Sequence, residues 1–202
     1  MRANRFAAGA LAVGTVLALA VGMGAAQEAK PVYVGDAKCM KCHSKQVLSW
    51  KKTPLAKSLE PLKPTTEADN KALFDLKKKA GLDPAKDYSV DTTCLKCHTT
   101  GFGKEGGYPE KITPENEKQA KAMGSVSCEA CHGPGSLYVE HKNAKRKENK
   151  DYAFTKEELA KVGLVAPTEE NCKACHNKDN PTNASDKFKW EDSKKNVHEH
   201  VK

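Results

Sequence analysis

Helical periodicity is clearest between residues 65 and 80, where small and branched apolar side chains recur every three or four positions. The positions concerned are Ala68, Ala72, Leu73, Leu76 and Ala80. Gly81 follows where a helix stop is expected, and Asp83-Pro84 continues as a turn. The pattern predicts one amphipathic helix over residues 65–80.

Capping residues predict three further helices. These are residues 113–124, which open with Thr-Pro and stop near a glycine, residues 136–147 after a Gly-Pro-Gly turn, and residues 155–163, where Thr155 and Glu158 have the spacing of a capping box. Residues 101–109 are rich in glycine and residues 177–186 are polar, so both are predicted loops. Because few segments alternate with period two, we expect a mainly α fold with much irregular loop.

Residues 1–26 have the three parts of a secretory signal peptide. Arg2 and Arg5 give a positive start, an apolar stretch runs from Phe6 to about Val21, and small residues follow up to Ala26. We expect cleavage after Ala26, which leaves residues 27–202 as one domain without a membrane span, in a periplasm or equivalent space. An uncut anchor is the alternative, but the apolar stretch contains glycines and falls short of the roughly 20 residues that a span needs.

All eight cysteines belong to a five-residue motif, C-x-x-C-H, which occurs four times. Residues three and four apart share one face of a helical turn, so both thiols and the imidazole can reach one planar ligand. This motif is the attachment site of c-type haem, in which the thiols bond the macrocycle and the histidine binds iron. The sequence predicts four covalent haems, attached through Cys39, Cys42, Cys94, Cys97, Cys128, Cys131, Cys172 and Cys175, with His43, His98, His132 and His176 as axial iron ligands.

Other uses of paired cysteines explain the pattern less well. A zinc ribbon also uses C-x-x-C pairs but does not require a histidine after each one. A disulfide framework does not require it either, and a thioredoxin-like motif would occur once, beside a βαβ pattern that this chain lacks. Each motif also follows a residue type that starts helices, namely Asp36, Asp91, Ser125 and Thr168. We therefore expect each motif to occupy the first turns of a short helix.

Charge and composition bear on partners and on folding. The formal net charge is +8, signal cleavage removes two arginines, and each ferric haem with its propionates adds about −1. The lysine excess would then offset propionates or form a docking face for an acidic redox partner, with a merely solvated surface as the alternative. Export and haem attachment argue against nucleic acid as a partner. Because 30% of the residues are charged, we expect haem to supply much of the apolar core.

Three histidines remain as second iron ligands: His141, His198 and His200. Three imidazoles cannot close four irons, so at least one iron takes another ligand or stays open to a small molecule. His141 lies on a predicted helix and is expected to ligate a haem other than that of His132, with a surface position as the alternative. The other two lie near the end of the chain, where a frayed tail is the alternative.

The motifs and the segments between them resemble the cytochrome c-554 family of tetrahaem periplasmic proteins. The resembling stretches are Ser49-Trp50-Lys51, residues 82–88, Gly101-Phe102-Gly103, Gly106-Gly107-Tyr108, residues 128–135 and, more loosely, residues 188–200. The resemblance implies a compact helical fold with haems in stacked pairs. It also implies that electrons pass from a hydroxylamine-oxidising enzyme towards a membrane-bound acceptor.

The same resemblance assigns the second iron ligands. It implies an open iron at His98, which would reduce nitric oxide, distal ligands at His141 and His198, and a non-ligating histidine at His200. The family has one more distal histidine, five residues after the tryptophan, where this chain has Leu55. Leucine cannot bind iron, so a second haem is open here or is closed by a substitute such as His200.

Three functions therefore stand as hypotheses. The first is a soluble multihaem electron carrier, which the four haem sites favour. The second is a haem enzyme that reduces a small nitrogen oxide such as nitric oxide, which the shortage of distal histidines favours. The third is a subunit of a larger multihaem assembly.

Overall fold

The structure is a computed structural model that describes residues 29–182 and 184–199. Over these ranges the chain forms short helices joined by turns and irregular loops, without a β-strand. In chain order the helices are α1 (Asp36–Met40), α2 (Ser44–Trp50), two 3₁₀ turns (Pro54–Lys57 and Glu60–Leu62), α3 (Lys71–Lys79), α4 (Thr92–His98), α5 (Glu117–Met123), α6 (Cys128–His132), α7 (Ser136–Glu148), α8 (Lys156–Lys161), α9 (Glu169–Lys173), α10 (Ala184–Lys187) and α11 (Trp190–Ser193). The predicted mainly α fold with much irregular loop is confirmed. The predicted signal peptide, residues 1–26, lies outside the described residues.

Two predicted helices begin later than predicted, and an asparagine occupies the N-cap position of each. Asn70 accepts a hydrogen bond from the backbone N–H of Leu73, so α3 starts at Lys71 and residues 65–69 form turns. Asn116 stands at the start of α5 and its side chain accepts the N–H of Thr113, which closes the Thr-Pro segment as a turn. An asparagine side chain competes with the backbone for helical hydrogen bonds, and periodicity does not register this effect.

Other local predictions are confirmed. The helix after the Gly-Pro-Gly turn is α7, and the capping box of Thr155 and Glu158 opens α8. Gly81 and Gly163 follow their helices with φ of 72° and 86°, a left-handed conformation that favours glycine. The predicted polar loop over residues 177–186 is wrong at its end, because α10 begins at Ala184.

The apolar core is small for a chain of this length. In the described part of the chain its main cluster consists of Leu62, Tyr88, Leu95, Tyr108, Ala120 and Met123, with a few half-buried neighbours, and Val47 and Trp50 of α2 are buried as well. Leu95 contributes from the second C-x-x-C-H motif and Met123 from the end of α5. The core therefore lies on one side of the second motif and leaves the other motifs to be held by other contacts.

Polar contacts hold the second and third motifs together. Thr100, which is fully buried just after the second motif, donates its hydroxyl to the Ser125 carbonyl at 2.6 Å and accepts the N–H of Ser127 at 2.9 Å. Ser58 donates to the His98 carbonyl at 2.7 Å and accepts the N–H of Val126 at 3.0 Å. Residues 125–127, which lead into the third motif, are thereby fixed to the exit of the second.

This network gives the first testable prediction. Thr100→Val keeps the volume of the side chain but leaves the Ser125 carbonyl and the Ser127 N–H without the hydroxyl, so we expect the free energy of unfolding of the haem-loaded protein to fall by about 1–3 kcal/mol. Chemical denaturation monitored by circular dichroism measures this change. Thr93→Val, an exposed position in the same segment, is the control and should be near neutral. Equal stability of the two variants would contradict the role of the Thr100 hydroxyl.

Candidate haem-binding site

Each C-x-x-C-H motif forms one helical turn, as predicted. The second and third motifs lie wholly within α4 and α6. In the first and fourth the helix ends early, but the turn continues, since the N–H of His43 donates to the Cys39 carbonyl at 2.9 Å and that of His176 to the Cys172 carbonyl at 2.8 Å. Both cysteines and the histidine of every motif therefore share one turn, the arrangement that attachment to one macrocycle requires.

Two of the four predicted helix caps are confirmed. Asp91 accepts the N–H of Thr93 at 2.9 Å, and Thr168 forms a capping box with Asn171. The other two predictions are wrong by one and two residues, because the caps are Gly35 and Ser127. Gly35 has a φ of 84°, a left-handed conformation that glycine adopts easily and that an aspartate in the cap position would adopt only with strain.

The motifs also meet one another in space. The thiol of Cys39, in the first motif, lies near that of Cys128, in the third, where the contact raises the pKa of Cys39 and lowers that of Cys128, and α1 packs against α6. Cys97, in the second motif, pairs in the same way with Cys175, in the fourth; this contact lowers the pKa of the Cys97 thiol to about 7 and raises that of Cys175. Groups attached at the first and third motifs, and at the second and fourth, would therefore be neighbours.

The third and fourth motifs are also close. Burial raises the pKa of the Cys131 thiol to about 11, and the nearby Cys172 and Cys128 thiols add to the effect. The four motifs thus form one continuous cluster rather than two separate pairs. Short distances between attached redox groups would follow from this arrangement.

Backbone carbonyls orient two of the motif histidines. The Nδ1 of His98 donates to the Ser58 carbonyl, and the Nδ1 of His132 donates to the Val165 carbonyl at 3.3 Å. A proton held on Nδ1 leaves the lone pair on Nε2, which is the form that binds a metal. The pKa of His132 is also lowered, mainly by burial, and this favours the neutral ring. The donor chemistry of these motifs therefore fits iron-bearing haem.

The other two motif histidines have different surroundings. The Nδ1 of His176 is buried without a hydrogen-bond partner in the described part of the chain, and the ring stacks on Phe188 at a centroid distance of 4.8 Å. The Nε2 of His43 lies 2.9 Å from the Tyr138 hydroxyl and 3.0 Å from the Lys142 ammonium. Burial first, and the positive charge of Lys142 second, lower the pKa of His43.

The two described spare histidines lie in different places. The ring of His198 faces that of His132 with centroids 6.3 Å apart and planes 28° from parallel. Two imidazoles bound to one metal on opposite sides, with metal–nitrogen bonds of about 2 Å, have a centroid spacing of about 6 Å. The centroid spacing of His132 and His198 therefore matches that of two imidazoles on one metal. His141 instead contacts Glu158 at 2.6 Å, and His200 lies outside the described residues.

Leu55, which stands where a distal histidine was expected, lies beside the third motif. Its carbonyl accepts the N–H of Val126 at 3.1 Å, two residues before Cys128. The indole of Trp50 donates to the Val126 carbonyl at 3.0 Å. The Ser-Trp-Lys stretch and Leu55 therefore flank the entry to the third motif.

Several contacts of the site carry no sequence signal. The carbonyls of Ser58 and Val165 that orient His98 and His132 are backbone atoms, which any residue provides. The side chain of Glu129, inside the third motif, is buried. Its only sign in the sequence is that a charged residue stands within a turn that is expected to be buried.

A cavity of about 680 Å³ lies between residues 56–63 and 108–124, and its lining contains no motif residue. Within the described ranges, no helix is long and apolar enough to cross a bilayer.

Comparison with known proteins identifies the family. A family model described as cytochrome c554 and c-prime matches residues 38–133, which contain the first three motifs. The structure of reduced cytochrome c554 from Nitrosomonas europaea superposes with a TM-score of 0.67 and 36% identity, over 85% of this chain and 87% of that one. The chain belongs to the cytochrome c-554 family.

Two curated relatives match over shorter stretches. Cytochrome c-554 from Nitrosomonas europaea is 40% identical over 146 residues, which is 71% of this chain and 57% of that protein. An uncharacterized protein from Archaeoglobus fulgidus is 28% identical over 97 residues, which is 42% of this chain and 30% of the relative. The matched region thus spans little more than half of the first relative. Membership of the cytochrome c-554 family confirms c-type haem as the cofactor.

The anchor of the C-terminal tail generates the second prediction. The N–H of Glu199, next to His198, donates to the Ser49 hydroxyl on α2 at 2.6 Å. Ser49→Ala removes that acceptor at a cost of about 1 kcal/mol, so we expect trypsin to cleave the tail of the haem-loaded protein about fivefold faster. Ser44→Ala, at an exposed position of the same helix, is the control. Equal cleavage rates for both variants would show that Ser49 does not hold the tail.

Proposed function

We propose that this chain is a periplasmic tetrahaem electron carrier. The observation that carries the proposal is the single cluster formed by the four motifs, in which cysteines of the first and third motifs meet, as do those of the second and fourth. When bound, haem supplies one-electron redox chemistry at iron. A carrier needs such groups close together, and the residues of this cluster would hold them so.

Each motif would hold its haem through its own residues. The cysteine pairs are Cys39 and Cys42, Cys94 and Cys97, Cys128 and Cys131, and Cys172 and Cys175, with axial ligands His43, His98, His132 and His176. The hydrogen bonds from His98 and His132 to backbone carbonyls support this assignment, because they direct the other ring nitrogen outward. His198 would be the second ligand at His132, and His141 would ligate another iron after leaving Glu158.

The proposal includes a location and partners. The signal peptide predicted over residues 1–26 would direct export, and the resemblance noted in the sequence implies electron transfer from a hydroxylamine-oxidising donor towards a membrane-bound acceptor. The exposed Lys78 and Lys79 of α3 and Lys147 of α7 would face an acidic partner, since opposite charges speed the encounter of two proteins. No nucleic acid is expected among the partners.

Two measurements on the purified mature protein test the function. The intact mass should exceed that of the polypeptide after residue 26 by four haems, and the visible spectrum should show reversible reduction and oxidation. A mass equal to the bare polypeptide would contradict haem attachment. Four haems that could not be reduced by any one-electron donor would contradict the carrier function.

The third prediction concerns the ligand at the third motif. His198→Ala should convert one low-spin ferric signal into a high-spin signal in low-temperature electron paramagnetic resonance, because one iron loses its second imidazole. The neighbouring His200→Ala variant is the control and should leave the spectrum unchanged. If only His200→Ala converted a low-spin signal into a high-spin signal, His200 and not His198 would be identified as the second iron ligand.

A second candidate function is reduction of nitric oxide at an open iron. It is favoured by the shortage of distal histidines, with three spare imidazoles for four irons and leucine at position 55. The same spectroscopy decides between the two functions, because four low-spin signals without a high-spin signal would leave no iron for a substrate. A role as a subunit of a larger assembly would appear as concentration-dependent sedimentation.

A further inference from the structure

Glu129 is a buried acid in an unusual place. It occupies the first variable position of the third C-x-x-C-H motif and is only 3% exposed. The equivalent positions of the other motifs hold Met40, Leu95 and Lys173. Leu95 belongs to the apolar core, so in the second motif this position faces the protein body, whereas Lys173 in the fourth motif is exposed. A carboxylate there must be stabilised by specific contacts.

Three backbone N–H groups supply those contacts. The Glu129 carboxylate accepts from Gly35 at 2.7 Å, from Gly135 at 2.7 Å and from Val34 at 3.0 Å. Both oxygens act as acceptors of N–H bonds, which is the pattern of an ionised carboxylate. Gly35 is the N-cap residue of α1, so the Glu129 side chain connects the third motif to the start of the first.

The negative charge of Glu129 is not cancelled by a cation. Within residues 29–182 and 184–199, no lysine, arginine or histidine forms an ion pair with it. Its field reaches the surrounding groups: after burial it contributes to the raised pKa of Tyr33, and after the Cys128 contact and burial it contributes to that of Cys39. A fixed charge in a buried site acts over a longer range than one at the surface, because solvent does not screen it.

We propose that Glu129 positions the first and third motifs and lowers the reduction potentials of the two haems that they hold. The inference rests on the proposed electron-carrier function. Each reduction adds one electron, taken from the external donor, to a ferric iron, and the haem then carries one positive charge less. A neighbouring negative charge opposes this change, since it favours the more positive ferric form.

The test is a potentiometric titration of the haem-loaded protein with Glu129→Gln, which keeps the shape of the side chain and removes its charge. At a fixed potential the ratio of reduced to oxidised haem should rise about tenfold for two of the four haems, which corresponds to about 59 mV. Glu170→Gln, an exposed carboxylate two residues before Cys172, makes the same charge change and should shift the titration much less.

A second variant separates charge from structure. Glu129→Asp keeps the charge on a shorter side chain, so we expect lower stability but potentials closer to those of the unmodified protein than the Gln variant gives. If the role of Glu129 were purely structural, the shift in reduction potential would instead scale with the loss of stability in both variants. That outcome, or an unshifted Glu129→Gln titration, overturns the proposal.

A measurement without mutation covers the case in which Glu129→Gln fails to assemble. In a haem-resolved titration of the unmodified protein, the haems at His43 and His132 should have lower potentials than those at His98 and His176. The reverse order overturns the proposal. If the unmodified protein shows no reversible haem titration at all, it is the electron-carrier function that fails.

Discussion

The structure depends on hydrogen bonds that join the backbone before one C-x-x-C-H motif to the residues around another. The apolar core is too small to do this, because it includes residues of only the second motif. Thr100 and Ser58 fix the entry of the third motif to the exit of the second, and Glu129 fixes the third motif to the start of the first. Each of these hydrogen bonds would contribute little to the free energy of unfolding at the surface. In a buried position the contribution is larger, since a partner left unsatisfied costs about 1–3 kcal/mol. The relative positions of the haem sites therefore follow from a few polar side chains.

Much of this organisation could be predicted from the sequence. Four copies of one motif predict the cofactor, which the family confirms, and also its attachment residues, because the chemistry fixes both residue type and spacing. Local caps such as Asp91 and the box of Thr155 and Glu158 were also predictable, since they involve residues only two or three apart. α3 and α5 start later than predicted because an asparagine side chain bonds the backbone near each start: Asn70 accepts the N–H of Leu73, and Asn116 accepts that of Thr113.

The pairing of the motifs could not be predicted in the same way. It depends on contacts between residues far apart in the chain, such as those of Glu129 with Val34 and Gly35, and no local pattern registers them. The orientation of His98 and His132 depends on backbone carbonyls, which have no sequence signature at all. Counting histidines limits how many irons can be closed, but only the fold shows that His198 faces His132 while His141 faces Glu158.

Leu55 shows how a side chain beside the third motif can vary without disturbing the fold. Its contribution to the third motif is a main-chain carbonyl that accepts the N–H of Val126, and this bond does not depend on the side chain. The neighbouring Ser58 and Trp50 hold the same segment through their own side chains. The side chain at position 55 can therefore vary while the backbone frame is retained. Because the hydrogen bonds that fix this segment are separate from the side chain at position 55, one backbone frame can be combined with different side chains there.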